Sequence, residues 1–241
     1  MCFFNAQNRR ALEIAKRYGR RSDIVEMAAE ILGEQRREQG SSEADDYIPG
    51  GMEVQKAFLN PDCWIVARNV EMLTAKWGLI PFWVDDVKKA ENIRNMTANA
   101  RAETVFTQAS FRNAIRKRRC LVPSTGFFEY HYVGKEATPY RIFLPDMDIF
   151  SLAGIYEEWK NPLTKEMVRT FSVVTVPANE LCGFIHNGGR HPGRMPGIIT
   201  VEEESRWLDP EATEEEVMGM LRPYEGRMEA VEMAKDYLRR A

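Results

Sequence analysis

The stretch that decides the fold is residues 119–176, RCLVPSTGFFEYHYVGKEATPYRIFLPDMDIFSLAGIYEEWKNPLTKEMVRTFSVVTV. Apolar and polar residues alternate along CLVP, GFFEYHYV, PYRIFL, FSLAGIYEEW and EMVRTFSVVTV, the period of half-buried strands. Turn signals such as Val133-Gly134-Lys135 and Asn161-Pro162 separate them. Upstream, MEVQKAFL (52–59), CWIVAR (63–68) and EMLTAKW (71–77) also read as strands. Helical spacing occupies residues 8–39, broken at Gly19, with a second helix starting near Ser22 or Asp23. Further helices are expected at 86–96, 108–117 and 178–185, and the last 40 residues read as mostly acidic helix. Residues 40–51, GSSEADDYIPGG, form a polar loop. Strands gathered in mid-chain with helices on both sides argue an α+β fold rather than a doubly wound sheet. No linker divides the 241 residues, so a single domain over 1–241 is expected, with an acidic helical part at about 202–241.

Composition narrows the function classes. The net charge is −3, which speaks against a protein that coats DNA by bulk charge. Residues 202–241 carry −6 of it, leaving the rest at +3 and allowing a local basic groove. No apolar run is long enough to span a membrane, and MCFFNAQNRR lacks the charged-then-apolar order of a secretory signal. A cytoplasmic or nucleoid-associated protein is expected. Cys2, Cys63, Cys120 and Cys182 stand singly, so neither a zinc site nor a disulfide framework is expected, and the last three read as buried thiols.

Five places can carry chemistry. If Met1 is removed, Cys2 bears a free α-amine and a thiol on one residue, with ordinary pKa values near 8 and 8.5. Such a pair condenses with an aldehyde to an imine and then closes a five-membered thiazolidine ring. The plainer reading is a frayed terminus, against which Phe3 and Phe4 offer apolar anchors. WGLIPFW, Trp77 to Trp83, is either a stacking platform for bases or a core corner. NARAETV offers Asn99 for hydrogen bonding and Arg101 for phosphate, or is an ordinary helix start. Glu129, among Phe127, Phe128 and Tyr130, is either a desolvated acid–base carboxyl or a solvent-facing strand residue. IHNGGRHPGRMP (185–196) gathers His186, His191, Arg190 and Arg194 in a glycine-rich loop. A basic run from Arg112 to Arg119 reads by itself as a solvated helix face.

Taken in order, Cys2 after Met1, WGLIPFW, NARAETV, RRCLVPSTGFFEY and IHN…RMP resemble the SOS response-associated peptidase (SRAP) family, across residues 2 to about 200. The resemblance implies a curved, barrel-like mixed or antiparallel β core flanked by helices. It implies a sensor of abasic sites in single-stranded DNA that crosslinks covalently through Cys2 as a thiazolidine, with self-processing of the N-terminus. It assigns Asn99, Glu129 and His186 to catalysis, with His191 as the alternative histidine. It assigns Trp77, Arg101 and Arg194 to DNA binding, to which the basic run adds Arg112 and Arg116. No metal, cofactor or membrane is implied, and a monomer is expected. Three departures stand out: Phe3-Phe4 where many members have Gly-Arg, Tyr130 where the family commonly has Trp, and two histidines before RMP. The rival functions are a cysteine peptidase acting on other proteins and a non-catalytic single-strand binding module.

Overall fold

In the computed structural model, residues 4–7, 11–19, 54–68, 72–189 and 191–240 are described. Cys2, the helix expected from Ser22 or Asp23, the 40–51 loop and Arg190 lie outside them. Five strands form a closed barrel: β3 (Asp62–Val66), β4 (Met72–Trp77), β6 (Arg119–Ser124), β9 (Phe150–Lys160) and β10 (Met167–Pro177). Around the ring the pairings are β4–β3, β3–β6, β6–β9 and β9–β10, all antiparallel. β10 then closes on β4 in parallel, which makes the barrel mixed. β11 (Arg194–Pro196) and β5 (Asn99–Arg101) add to β10, and β12 (Ile198–Ile199) adds to β9. The barrel-like α+β expectation is met.

β6 passes through Thr125 into β7 (Gly126–Val133), which leaves the barrel for a second sheet. There β7 lies between β1 (Phe4–Ala6) and β8 (Glu136–Phe143), with β2 (Gln55–Lys56) outside β1 and β13 (Glu229–Glu232) outside β8. The helices are α1 (Ala11–Arg17), α2 (Val87–Arg94), α3 (Ala114–Lys117), α4 (Glu180–Ile185), α5 (Val201–Leu208), α6 (Glu214–Met220) and α7 (Tyr237–Arg240). Cys63, Cys120 and Cys182 are buried and unpaired by disulfides, as read. Among the described residues no helix is long and apolar enough to cross a membrane. None of their His, Cys, Asp and Glu side chains group to hold a metal ion.

Two expectations are corrected. Among the described residues of MEVQKAFL, strand covers Gln55–Lys56, because Ala57–Leu59 tightens into a 3-10 turn. Asn60 ends that turn in the left-handed region (φ 48°), its Nδ2 donating to the Ala57 and Trp77 carbonyls. The C-terminal part is not helix throughout: Glu229–Glu232 pairs with β8, and the Tyr140 hydroxyl donates to Glu232 at 2.9 Å. The acidic reading does hold for α5 and α6. Each begins with a threonine capping box, Thr200 with Glu203 and Thr213 with Glu216, placing carboxylates at the positive end of the helix.

What ties the N-terminal strand down is a buried amide network. The Gln7 side chain accepts from Trp64 N and Gln55 Nε2 (3.0 and 3.1 Å) and donates to the Trp64 and Pro123 carbonyls (both 2.9 Å). Asn5 donates to Gln55 and Pro123 and accepts from the Ser124 hydroxyl at 2.7 Å. Gln7→Ala leaves several buried partners unsatisfied at once, a loss of about 2–4 kcal/mol. Calorimetry is expected to show Tm falling by about 5–10 °C; a change within a degree would mean that water replaces the side chain without cost.

Candidate active site

Alternation along β7 sends Phe127 into the main core and Phe128 into a second cluster on the other face of the sheet. Glu129 follows the direction of Phe127, and its carboxyl is 6% exposed. α4 then docks against this strand. Asn179 caps it, accepting from Cys182 N at 2.9 Å. The His131 ring stacks on Phe184 (4.6 Å, 25°), and His131 Nδ1 meets the Phe184 carbonyl at 2.9 Å. The Asn187 side chain behaves as an extra strand partner for Tyr132: Oδ1 accepts from Tyr132 N and Nδ2 donates to Tyr132 O. Gly188 lies so close to Tyr132 that any Cβ there would strike its ring.

This docking delivers His186, 5% exposed, to a position opposite Glu129, with Nε2 at 3.9 Å from Oε2. His186 Nδ1 lies 2.9 Å from the Arg194 carbonyl. Arg194 N also lies 3.3 Å from Nδ1; with Nδ1–H donating to the closer carbonyl, Nε2 is the lone-pair nitrogen facing the carboxyl. Burial pushes the imidazole pKa below its ordinary value and the Glu129 carboxyl up to about 8. Both effects favour uncharged forms, so at neutral pH the pair is a carboxylic acid beside a neutral base rather than an ion pair. Cys182 lies within electrostatic range of Glu129, and burial holds its thiol far from ionisation.

β5 lies parallel to β10 with Asn99 opposite Val173 and Arg101 opposite Thr175, while β11 brings Pro196 to the other side of Thr175. Asn99 is buried, yet neither atom of its amide has a hydrogen-bond partner among the described residues. Such a group costs about 1–3 kcal/mol and is expected where a partner arrives later. Arg101 is exposed, and its Nη2 lies 2.7 Å from His191 Nδ1. His191 and Arg194 both act electrostatically on His186, which places the NAR and IHN…RMP blocks around one site.

Two residues do not suit the binding roles expected of them. Trp77 is 1% exposed, stacked on Phe171 at 5.7 Å, with Nε1 donating to the Ala98 carbonyl. Its faces are covered, so the core-corner reading describes it; the exposed aromatics of WGLIPFW are Phe82 (54%) and Trp83 (49%). Arg194 is buried, forked onto the Glu103 carboxylate and donating to the Thr175 carbonyl at 2.6 Å. That contact holds Glu103 below the ordinary carboxylate range. A guanidinium so committed holds β11 and β10 together and has little left for phosphate.

The basic run is also largely spent internally. Arg118 pairs with Glu157 at 3.0 Å, and Arg119 donates to the Trp207, Ile115 and Asp209 carbonyls. Arg116 pairs with Glu214 while its guanidinium lies over the Phe106 ring and donates to the Phe106 carbonyl. Arg112 is exposed. Sequence reading missed the amide network around Asn5 and Gln7 and the clasp at Asn187. The second was in view as the Asn of IHN; the first carries no spacing signal, because Gln55 and Ser124 join it only through the fold.

The chain matches the family described as SOS response associated peptidase (SRAP) over residues 3–237. It is 36% identical over 162 residues to the abasic site processing protein YoqW of Bacillus subtilis, covering 66% of this chain and 67% of that one. It is 33% identical over 199 residues to the abasic site processing protein YoaM of the same organism, covering 79% and 82%. A crystal structure of a protein from Bacteroides thetaiotaomicron superposes with a TM-score of 0.87 at 39% identity, covering all of this chain and 95% of that one. A match over nearly the whole length, on the same closed barrel, makes this chain a member of the SOS response-associated peptidase family.

Proposed function

We propose that this protein processes abasic sites in single-stranded DNA by forming a thiazolidine with Cys2 after Met1 is removed. The observation that carries the reading is the buried Glu129–His186 couple beside an anchored N-terminal strand. Phe4 pairs with Phe128, the neighbour of Glu129, and the amide network fixes Asn5. Cys2 is two residues from Phe4, so its α-carbon is within about 7 Å of Phe4's. The chain's relatives YoqW and YoaM, both abasic site processing proteins, support the substrate class.

The steps follow from the groups at hand. The ring-opened deoxyribose at an abasic site exposes an aldehyde. The α-amine of Cys2 attacks that carbon, and the carbinolamine loses water to give an imine. Glu129, carrying its proton at neutral pH, supplies it to the departing oxygen; His186 Nε2 accepts a proton from the ring hydroxyl or the amine. The Cys2 sulfur then adds to the imine carbon and closes the ring, with one water released overall. Asn99, its amide uncommitted, orients the amine or the sugar. No metal is needed for any step. Self-processing, in which the same thiol removes a leading residue, uses the same couple.

Arg101 gives the phosphate contact nearest the site, and exposed Arg112 is a second candidate; Arg116, paired with Glu214, would have to exchange that carboxylate for a phosphate. Stacking passes from Trp77 to Trp83 and Phe82. Trp83→Ala is therefore expected to weaken single-strand binding about five- to a hundredfold without moving Tm. Fluorescence anisotropy checks this, and unchanged affinity would remove the loop from the interface. The reading as a whole is tested by incubating the chain with an abasic single-stranded oligonucleotide and running a denaturing gel. A heat-resistant shifted band is expected. Its absence, with binding intact, would favour the plain binding module; cleavage of unrelated peptides lost in Cys2→Ser would favour the peptidase.

A further inference from the structure

We propose that a second pocket, at the end of the barrel where β6 begins, is a site for a phosphate-bearing ligand. The cavity has a volume of about 520 Å³, within the roughly 300–1,000 Å³ typical of small-molecule sites. Arg68, just beyond β3, Lys117 of α3 and Arg119 of β6 line it, together with the Tyr156 ring and the apolar side chains of Leu73 and Leu208. None of the described residues that line it is acidic.

The charge arithmetic favours an anion. Among the described residues Arg119 donates only to backbone carbonyls, of Trp207, Ile115, Arg116 and Asp209, so none of their carboxylates touches its guanidinium. Asp209 is held by Arg206 at 2.6 Å and only loosely approached by Arg68 at 3.6 Å. Arg206 is itself shared with Glu216 at 2.6 Å. The Lys117 ammonium makes no ion pair or hydrogen bond to a described residue, and neither does the Tyr156 hydroxyl. Arg68 and Lys117 as donors, the charge of Arg119 behind them, a phenol and two leucines suit a phosphate with an attached apolar part, as in a mononucleotide, better than a bare carboxylate. The pocket shares no residue with the Glu129–His186 site, so the inference stands apart from the crosslinking reading.

The test is titration calorimetry of the full chain at low salt with deoxyadenosine monophosphate, with deoxyadenosine as the uncharged control, and with an undamaged single-stranded oligonucleotide. Arg68→Ala with Lys117→Ala is the variant; both are surface side chains outside the proposed crosslinking machinery, and Lys117→Gln alone serves if the pair perturbs Tm. Binding of the nucleotide but not the nucleoside, weakened at least about tenfold in the variant, is the expected result and assigns a free phosphorylated compound. Oligonucleotide affinity that falls likewise without nucleotide binding assigns the same anion site to a strand phosphate. At saturating DNA, abasic crosslinking by the variant should equal that of the parent. If neither probe binds, or if binding is unchanged by the substitutions, the proposal is overturned.

Discussion

Replacing Cys2 with alanine is expected to reduce the heat-stable abasic-site adduct by at least about a hundredfold while leaving DNA affinity within about twofold. The chemistry separates the two. Cys2→Ala keeps the α-amine, so the imine still forms, but water reverses it when no sulfur is held on the same residue. Ring closure inside one residue draws on effective molarities of order 10⁵ M, which free thiols in solution do not match. Borohydride added during incubation should therefore rescue a covalent band in Cys2→Ala by reducing the imine. A chain that keeps a residue ahead of Cys2 should give no heat-stable band without borohydride, because the Cys2 nitrogen is then an amide and cannot close the ring, whereas the α-amine of the leading residue can still form an imine that reductant traps. Full adduct yield from Cys2→Ala without reductant would sink the thiazolidine. A heat-stable band from that extended chain without reductant would place the crosslink on another group.

The barrel could be read from residues 119–176 because each strand there carries its own period and its own turn. Closure could not, since the parallel pairing of β10 with β4 joins residues nearly a hundred positions apart and leaves no local mark. Glu129 was legible through its aromatic neighbours, and the structure shows why: Phe127 and Phe128 go to opposite faces and leave the carboxyl on the buried side. Which histidine faces Glu129 is visible only in the fold. His186 is delivered to Glu129 by the His131–Phe184 and Tyr132–Asn187 contacts, whereas His191 meets exposed Arg101. The misreadings of Trp77 and Arg194 share one cause. A Trp or an Arg in a binding motif has the same composition whether it faces solvent or holds the motif in shape. Only its partners, here Phe171 with the Ala98 carbonyl and Glu103 with the Thr175 carbonyl, tell the two apart.

Glu129→Gln should slow crosslinking about a hundredfold or more while making the folded chain more stable at alkaline pH. The kinetic loss follows from removing the proton donor to the departing hydroxyl, a role worth 10²–10⁴ in rate. In the parent the rate should rise as the α-amine, ordinarily near pKa 8, loses its proton, and fall as Glu129 loses its own near pH 8. The result is a narrow maximum, and glutamine abolishes its alkaline limb. The stability effect has a definite sign. Burial raises the folded-state pKa above the unfolded value of about 4.3, so between about 4.3 and 8 the folded chain binds a proton that the unfolded chain has released. The parent's stability from this group is full below that window and declines as pH climbs through it. His186, depressed by burial, works in the opposite direction near its unfolded pKa of about 6.5, but it is common to both chains and drops out of their difference. Urea melts of parent and variant should thus diverge with rising pH, with glutamine ahead by about 2–4 kcal/mol at pH 8. Parallel curves at pH 5 and pH 8 would show that the carboxyl is ionised in the folded protein, and the proton donor would have to be sought at His186.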